Sequence, residues 1–172
     1  DVQAIKTQVM RGLAVPTGIT HMDPVSGGVD RTLEKRLPYD PAAAKKLLAE
    51  AGYPNGFGFT LNCPNNRYIN DEKICTAVVA MWAKIGVKAT LAAEPMATFI
   101  AKVQNFDTSA YMLGWGVQTF DALYMLQALA RTKTTGADGS FNFVKLSDPK
   151  LDAIIDAMKT EMDAKKRDAM IK

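Results

Sequence analysis

The sequence predicts an α/β fold with a largely parallel sheet flanked by helices. Strand patterns and helix patterns alternate along the middle of the chain, and strands joined through helical crossovers pair in parallel. The 172 residues are 48% hydrophobic and 23% charged, the composition of a globular protein with a core. The apolar run of residues 111–113 ends in Gly114-Trp115-Gly116, as a buried strand does when it reaches the open edge of a sheet.

The first clear helix begins at Asp40-Pro41. Asp caps the free N–H groups of a first turn, and Pro fits the first helical position. Four apolar residues share one face of this helix: Ala44, Leu47, Leu48 and Ala51. Gly52 follows them, where a helix commonly ends.

The central segment reads strand, helix, strand, helix, strand. Two strands show alternating apolar residues: Phe57, Phe59, Leu61 and Cys63, then Val87, Ala89, Leu91 and Ala93. The helix between them begins at residues 70–72, carries one apolar stripe and ends at Gly86. Residues 95–104 predict a shorter helix, and residues 110–114 predict the third strand.

The last part of the chain predicts helices at residues 122–129 and after Asp148-Pro149. Met158 and Met162 continue the helical spacing there and are expected to fill the core. The segments at residues 15–38 and 132–142 have loop compositions. The net charge is only +3, and its dense run at residues 165–167 is flanked by acids, which predicts a solvated helix face and no nucleic-acid partner.

Both ends of the chain look internal. Residues 1–10 have a helical pattern without an initial Met, and the chain stops at Lys172 without a helix-ending residue. We therefore expect residues 1–172 to be a single excised domain of a longer protein. No apolar run approaches the roughly 18 residues that a membrane-spanning helix needs.

Ligands of open parallel sheets bind beyond the carboxyl ends of the strands. The first strand is followed by Asn65, Arg67 and Tyr68, and the third by Trp115 and Gln118. Guanidinium binds both oxygens of a carboxylate, and indole offers a broad apolar face. These side chains are recognition groups. For Trp115 alone, a core position beside a turn is an equally good interpretation.

No catalytic, metal or cofactor motif accompanies these groups. The single histidine, His21, lies in a loop without ligands at zinc spacing, and Ser26 lacks the nucleophile-elbow pattern. Cys63 and Cys75 are twelve positions apart; they form a disulfide only if their Cα atoms approach within about 4.4–6.8 Å, and otherwise pack as two thiols. A thiol-dependent enzyme using Cys63 and His21 is the competing functional hypothesis.

Residues 39–57 read YDPAAAKKLLAEAGYPNGF, followed in order by MWAKIGV at 81–87, Gly114-Trp115 and SDPKLD at 147–152. Together they resemble the extracellular solute-binding protein family 5, the dipeptide-, oligopeptide- and nickel-binding proteins of bacterial ABC importers. The resemblance implies a periplasmic-binding-protein-like (type II) fold. It also implies a two-lobed protein, periplasmic or anchored outside the cell as a lipoprotein, that delivers solute to a membrane permease. This chain would be part of the C-terminal lobe.

The resemblance also assigns roles to single residues. Arg67 matches the Arg that meets the peptide carboxylate in dipeptide-binding relatives. Gln118 stands where peptide-binding relatives have an Asp that meets the peptide's amino end. Asp121, three residues on, either substitutes for that Asp or caps the following helix. We therefore expect a blocked or modified peptide, an opine-like compound or an oligosaccharide as the solute. A ligand sensor built on the same fold is a further alternative.

Overall fold

The computed structural model describes residues 1–18, 35–117, 119 and 121–171. The chain divides into two compact units. One contains Asp1–Pro16 and Leu37–Gly114, and the other contains Thr17–Arg36 and Trp115–Lys172. Among the described residues, no helix combines the length and the apolar character needed to cross a bilayer.

The first unit is a three-stranded parallel sheet with helices. In chain order its elements are α1 (Val2–Ala4) with a π-helical turn (Ile5–Val9), α2 (Pro41–Glu50), β1 (Gly58–Pro64), α3 (Asp71–Ala83), β2 (Lys88–Glu94), α4 (Met96–Gln104) and β3 (Ala110–Tyr111). The strand order is β2-β1-β3, and both pairs are parallel. The predicted α/β fold with a parallel sheet is confirmed.

The helix boundaries of this unit follow from local chemistry. The Asp40 carboxylate accepts a hydrogen bond from the Ala43 N–H at 2.9 Å, and Pro41 occupies the first turn of α2. Gly52 and Gly86 follow α2 and α3 with φ of 89° and 91°, a conformation that glycine adopts without a steric penalty. The two predicted helix ends are therefore correct.

Alternate residues of β1 form the core against α3. Leu61 and Cys63 on the strand are buried together with Cys75 on the helix. Phe59 and Trp82 extend the same cluster, with ring centroids 5.4 Å apart. The end of β1 and the beginning of α3 are thus fixed by burial of apolar surface.

The third strand is shorter than predicted. Pairing covers only Ala110–Tyr111, and one more ladder bond joins the Met112 N–H to the Asn62 carbonyl at 3.0 Å. The next bond of a parallel ladder would require an N–H from Pro64, which has none. The chain therefore leaves the sheet before Gly114.

The second unit is helical: α5 (Ala122–Met125) with a π-helical turn (Leu126–Ala130), α6 (Pro149–Met158) and α7 (Ala164–Ile171). The Asp148 carboxylate caps α6 through the N–H groups of Lys150 and Leu151. Met158 is fully buried as expected, but the core position predicted for Met162 is wrong, since its side chain is 93% exposed. Because α6 ends at Met158, residue 162 no longer follows the helical face.

Candidate functional site

The segment after β1, residues 65–70, is hereafter the Arg67 loop. Its shape depends on the Asp71 carboxylate, which is buried at 4% exposure. That carboxylate accepts hydrogen bonds from the N–H groups of Arg67 at 2.9 Å, Tyr68 at 3.0 Å and Glu72 at 2.9 Å. Burial by itself raises the pKa of Asp71, but these backbone hydrogen bonds outweigh it and lower the pKa below its usual value. The carboxylate therefore remains charged.

The first and second strand ends meet at the Arg67 loop. The Asn65 N–H donates to the Glu94 carbonyl at 3.0 Å, and the Asn66 side-chain oxygen accepts from the Met96 N–H at 2.8 Å. The second bond satisfies a free N–H in the first turn of α4. The loop after β1 is therefore fixed to the segment that follows β2.

The third strand end meets the same loop. The Tyr68 hydroxyl donates to the Gly114 carbonyl at 3.1 Å. A Cβ on Gly114 would lie 2.9 Å from a carbon of the Tyr68 ring, so the ring occupies the side-chain position that glycine leaves vacant. Within the first unit, the loop after β1 thus contacts the segment after β2 and the Gly114 carbonyl.

The functional groups of the loop remain accessible. Asn65 and Arg67 are exposed, and Tyr68 is half-buried. The Arg67 guanidinium carbon lies 5.4 Å from the centroid of the Tyr68 ring, and no described carboxylate forms an ion pair with it. A fixed backbone that presents an exposed guanidinium, with no ion pair to a described carboxylate, is suited to binding an anion.

Cys63 and Cys75 form a disulfide in the structure, with their Cα atoms 6.6 Å apart. Cys63 lies near the end of β1 and Cys75 lies on α3, so the bond spans the Arg67 loop. Both residues are buried. His21, the partner in the thiol-enzyme hypothesis, lies outside the described residues.

Trp115 lies in an aromatic cluster of the second unit. Its ring centroid is 5.7 Å from that of Tyr124 and 4.9 Å from that of Phe141. The residue is half-buried, and its indole N–H has no hydrogen-bond partner among the described residues although the nitrogen is buried. Two aromatic neighbours fix the indole ring, and one polar atom remains unsatisfied.

Gln118 lies outside the described residues, whereas Asp121 lies within them. The Asp121 carboxylate accepts from the Leu123 N–H at 2.9 Å, as a cap of α5, and from the Arg167 guanidinium at 2.7 Å. Burial raises the pKa of Asp121, but the hydrogen bond and charge of Arg167, together with the Leu123 N–H, lower it below its usual value. Of the two roles expected for Asp121, the helix cap is the one seen.

Arg167 departs from the solvated face predicted for residues 165–167. Lys165 and Lys166 are exposed on α7, but Arg167 is half-buried and also donates to the Met158 carbonyl at 2.6 Å. The helical pattern of the run is correct, and its third member is an intramolecular partner of Asp121. Nothing in the sequence indicates which carboxylate, 46 residues away, would meet it.

The role of Asp71 is not predictable from the sequence. Residues 70–72 predict a helix start, but the turn of the Asp71 carboxylate back to the preceding loop is visible only in the structure. The sequence signal for this contact is an Asp at a helix start, four residues after an Arg. Many ordinary helix caps share that pattern. Within the described ranges, no three His, Cys, Asp or Glu side chains cluster as metal ligands would.

The chain is similar in sequence to known solute-binding proteins. The glutathione-binding protein GsiB of Pectobacterium atrosepticum is 30% identical over 151 residues, which cover 84% of this chain and 29% of that protein. The dipeptide-binding protein of Pseudomonas aeruginosa is 30% identical over 173 residues, covering 99% and 32%. This chain therefore spans about a third of the length of these relatives.

The fold comparison agrees. The periplasmic binding protein DppA of Helicobacter pylori, solved in complex with the peptide STSA, has a TM-score of 0.85 and 22% identity, covering 99% of this chain and 32% of that one. The likeness confirms the periplasmic-binding-protein-like (type II) fold. The profile of the bacterial extracellular solute-binding proteins, family 5 Middle, matches residues 1–137. The chain belongs to the bacterial extracellular solute-binding proteins of family 5.

Proposed function

We propose that this chain is part of the solute-binding component of a bacterial ABC importer, which captures a small polar solute between two lobes and delivers it to a membrane permease. The observation that carries the proposal is Arg67. It is an exposed guanidinium on a loop fixed at the carboxyl ends of a parallel sheet, in a chain of the solute-binding family. Relatives named for glutathione and for dipeptides support a solute that carries a carboxylate.

Each candidate residue has a distinct role in this proposal. Arg67 binds a carboxylate or similar anionic group through two parallel hydrogen bonds. Asn65 and Tyr68, on the same loop, supply an amide and a phenol. In the second unit, Trp115 offers its ring to an apolar part of the solute. Gln118 supplies a neutral amide.

The neutral amide of Gln118 leads us to propose a particular solute class. Asp121 is engaged by Arg167 and by the helix it caps, which leaves it poorly suited to bind a free ammonium group. A solute whose amino end is blocked or modified therefore fits better than an ordinary dipeptide. Candidates are a modified peptide, an opine-like compound or an oligosaccharide.

A thermal-shift screen of the full-length protein, followed by calorimetry, tests this proposal. The panel contains Ala-Ala, N-acetyl-Ala-Ala, glutathione, octopine and maltotriose. We expect N-acetyl-Ala-Ala or another member without an unmodified amino end to bind more tightly than Ala-Ala. Gln118→Asp should improve binding of Ala-Ala, and Thr119→Asp, which places the same charge one residue away, should not. Tight binding of Ala-Ala that is lost on Gln118→Ala would overturn the solute class.

The proposed location follows from the family. Its members are extracellular solute-binding proteins, and we propose a periplasmic or externally anchored lipoprotein with a membrane permease as its partner. We further propose that residues 1–172 form part of the C-terminal lobe, supported by the chain's coverage of about a third of its relatives.

The proposed role is binding without catalysis. The thiol-enzyme alternative requires a reactive Cys63, but in the structure its sulfur is bonded to Cys75 and both are buried. Labelling of the folded, non-reduced protein with a maleimide separates the two hypotheses. No rapid incorporation is expected, whereas a single fast-reacting thiol at Cys63 would support the enzyme.

A further inference from the structure

Asp71 differs from the other helix-starting carboxylates of this chain. The carboxylates of Asp40 and Asp148 accept hydrogen bonds from N–H groups inside the helices they precede. Asp71 bonds only one N–H of its own helix, that of Glu72, and directs its other oxygen back to Arg67 and Tyr68. Two of its three partners are therefore in the loop and not in the helix.

The arrangement requires both oxygens of an ionised carboxylate. One oxygen serves the two loop N–H groups and the other serves Glu72. An asparagine can keep the two loop bonds with its single oxygen only by turning its NH₂ group toward the Glu72 N–H, whereas an alanine keeps none of the three bonds. The loss of these acceptors would leave buried N–H groups unsatisfied, which favours a different loop conformation.

The backbone hydrogen bonds of Asp71 also determine the positions of the side chains that the solute would meet. Fixing the Arg67 and Tyr68 N–H groups sets where both side chains leave the main chain. The Tyr68 hydroxyl is further fixed on the Gly114 carbonyl, and its ring lies beside the Arg67 guanidinium. The direction of the guanidinium therefore depends on a carboxylate that itself is too buried to reach a solute.

We propose that Asp71 is a positioning residue of the solute site, whose carboxylate sets the backbone of Arg67 and Tyr68 and thereby the orientation in which Arg67 meets an anionic group. This inference rests on the proposed function for its consequence in binding. Its structural half, the control of the Arg67 loop by Asp71, stands independently of which solute is bound. The two halves are tested separately.

The first measurement is amide hydrogen exchange of the full-length protein without solute. In Asp71→Ala, which removes both acceptor oxygens, we expect the Arg67 and Tyr68 amides to exchange about tenfold faster, the effect of losing one hydrogen bond. Amides in the middle of α3 should keep their rates. Asp148→Ala is the matched control, since it removes the cap of α6 and no bond of the Arg67 loop. Unchanged exchange at Arg67 and Tyr68, or an equal acceleration throughout α3, would reduce Asp71 to a helix cap.

An NMR titration of the unmodified protein covers the case in which Asp71→Ala does not fold. The Arg67 and Tyr68 amide protons should shift with the same midpoint as the Asp71 carboxyl carbon. If the chemical shifts of these two amides do not change as the Asp71 carboxyl titrates, Asp71 does not control the conformation of the Arg67 loop.

The second measurement is a double-variant cycle with glutathione and N-acetyl-Ala-Ala as probes. Asp71→Ala should weaken binding about tenfold in the native background and less than about twofold in Arg67→Ala, because its effect passes through Arg67. Equal losses in both backgrounds would contradict a positioning role. If neither probe binds while the amide exchange rates change as expected, the proposal of a carboxylate-bearing solute fails, and the proposal that Asp71 controls the Arg67 loop is retained.

Discussion

The Tyr68 hydroxyl donates a hydrogen bond to the Gly114 carbonyl at 3.1 Å, between residues 46 positions apart. The same ring lies where a side chain at position 114 would project, 2.9 Å from the place of its Cβ. Gly114 is therefore required by the close approach of an aromatic ring. This contact fixes the loop after β1 to the segment that follows β3 in the first unit.

Gly114→Ala should displace the Tyr68 ring and break its hydrogen bond. We expect the free energy of unfolding to fall by about 1–3 kcal/mol, the range found for an added methyl group in a filled site. Urea unfolding measures the change. Gly116→Ala is the matched control, since a Cβ at position 116 would have no described atom within 4 Å. Equal stability of the two variants would show that the ring moves aside without penalty.

Arg67→Ala should remove solute affinity while leaving the fold intact. The side chain is exposed, and no ion pair joins it to a carboxylate of the described residues, so stability should change by less than about 0.5 kcal/mol. Calorimetry with the best solute of the screen should show a loss of about 10- to 100-fold, since a charge-assisted hydrogen bond is worth about 1.5–3 kcal/mol.

Arg36→Ala removes an equally exposed guanidinium and should change neither quantity. Arg67→Lys should recover only part of the affinity, because an ammonium cannot form the bidentate pair. Full affinity in Arg67→Ala would exclude Arg67 from the solute site.

Local sequence signals predicted the fold because each depends on near neighbours. Asp40-Pro41 and Asp148-Pro149 begin helices as expected, and the alternation of Phe59, Leu61 and Cys63 identifies a strand. The close approach of the Tyr68 ring to Gly114 is a contact between distant segments and was not predicted.

The contacts that build the candidate site were not predictable in the same way. The partners of Asp71 and Arg167 are chosen by tertiary packing, which periodicity does not encode. Pro64 shortens β3 through a hydrogen bond it cannot donate, an effect visible only once the register with Met112 is known. Contacts between distant segments are thus not predictable from local sequence patterns.

Removing the Cys63–Cys75 disulfide should destabilise the first unit. A bond between residues 12 positions apart typically contributes about 2–4 kcal/mol by restricting the unfolded chain. Urea unfolding of Cys63→Ala/Cys75→Ala and of the native protein with reductant should give similarly lowered stabilities. Reductant should not affect the double variant. Detection of two free thiols in the unsubstituted protein, denatured without reductant, would contradict the Cys63–Cys75 disulfide.

The Asp121–Arg167 pair predicts a loss of stability in acid. The folded-state pKa of Asp121 is lowered, so its contribution is complete above the unfolded value of about 3.9 and disappears as the pH falls through the folded value. Because the Asp121 side chain is 42% exposed, we expect Asp121→Asn to cost only about 0.5–1 kcal/mol at pH 7. Asn retains the cap on Leu123, so the loss reports the ion pair.

Urea unfolding between pH 7 and pH 2 should show the native protein and Asp121→Asn converging in stability below about pH 4, as the carboxyl gains its proton. Asp148→Asn is the comparison, because Asp148 caps a helix but forms no ion pair with a described residue. Its difference from the native protein should stay small at pH 7. A difference for Asp121→Asn that persists unchanged at pH 2 would mean that the pair is not what Asp121 contributes.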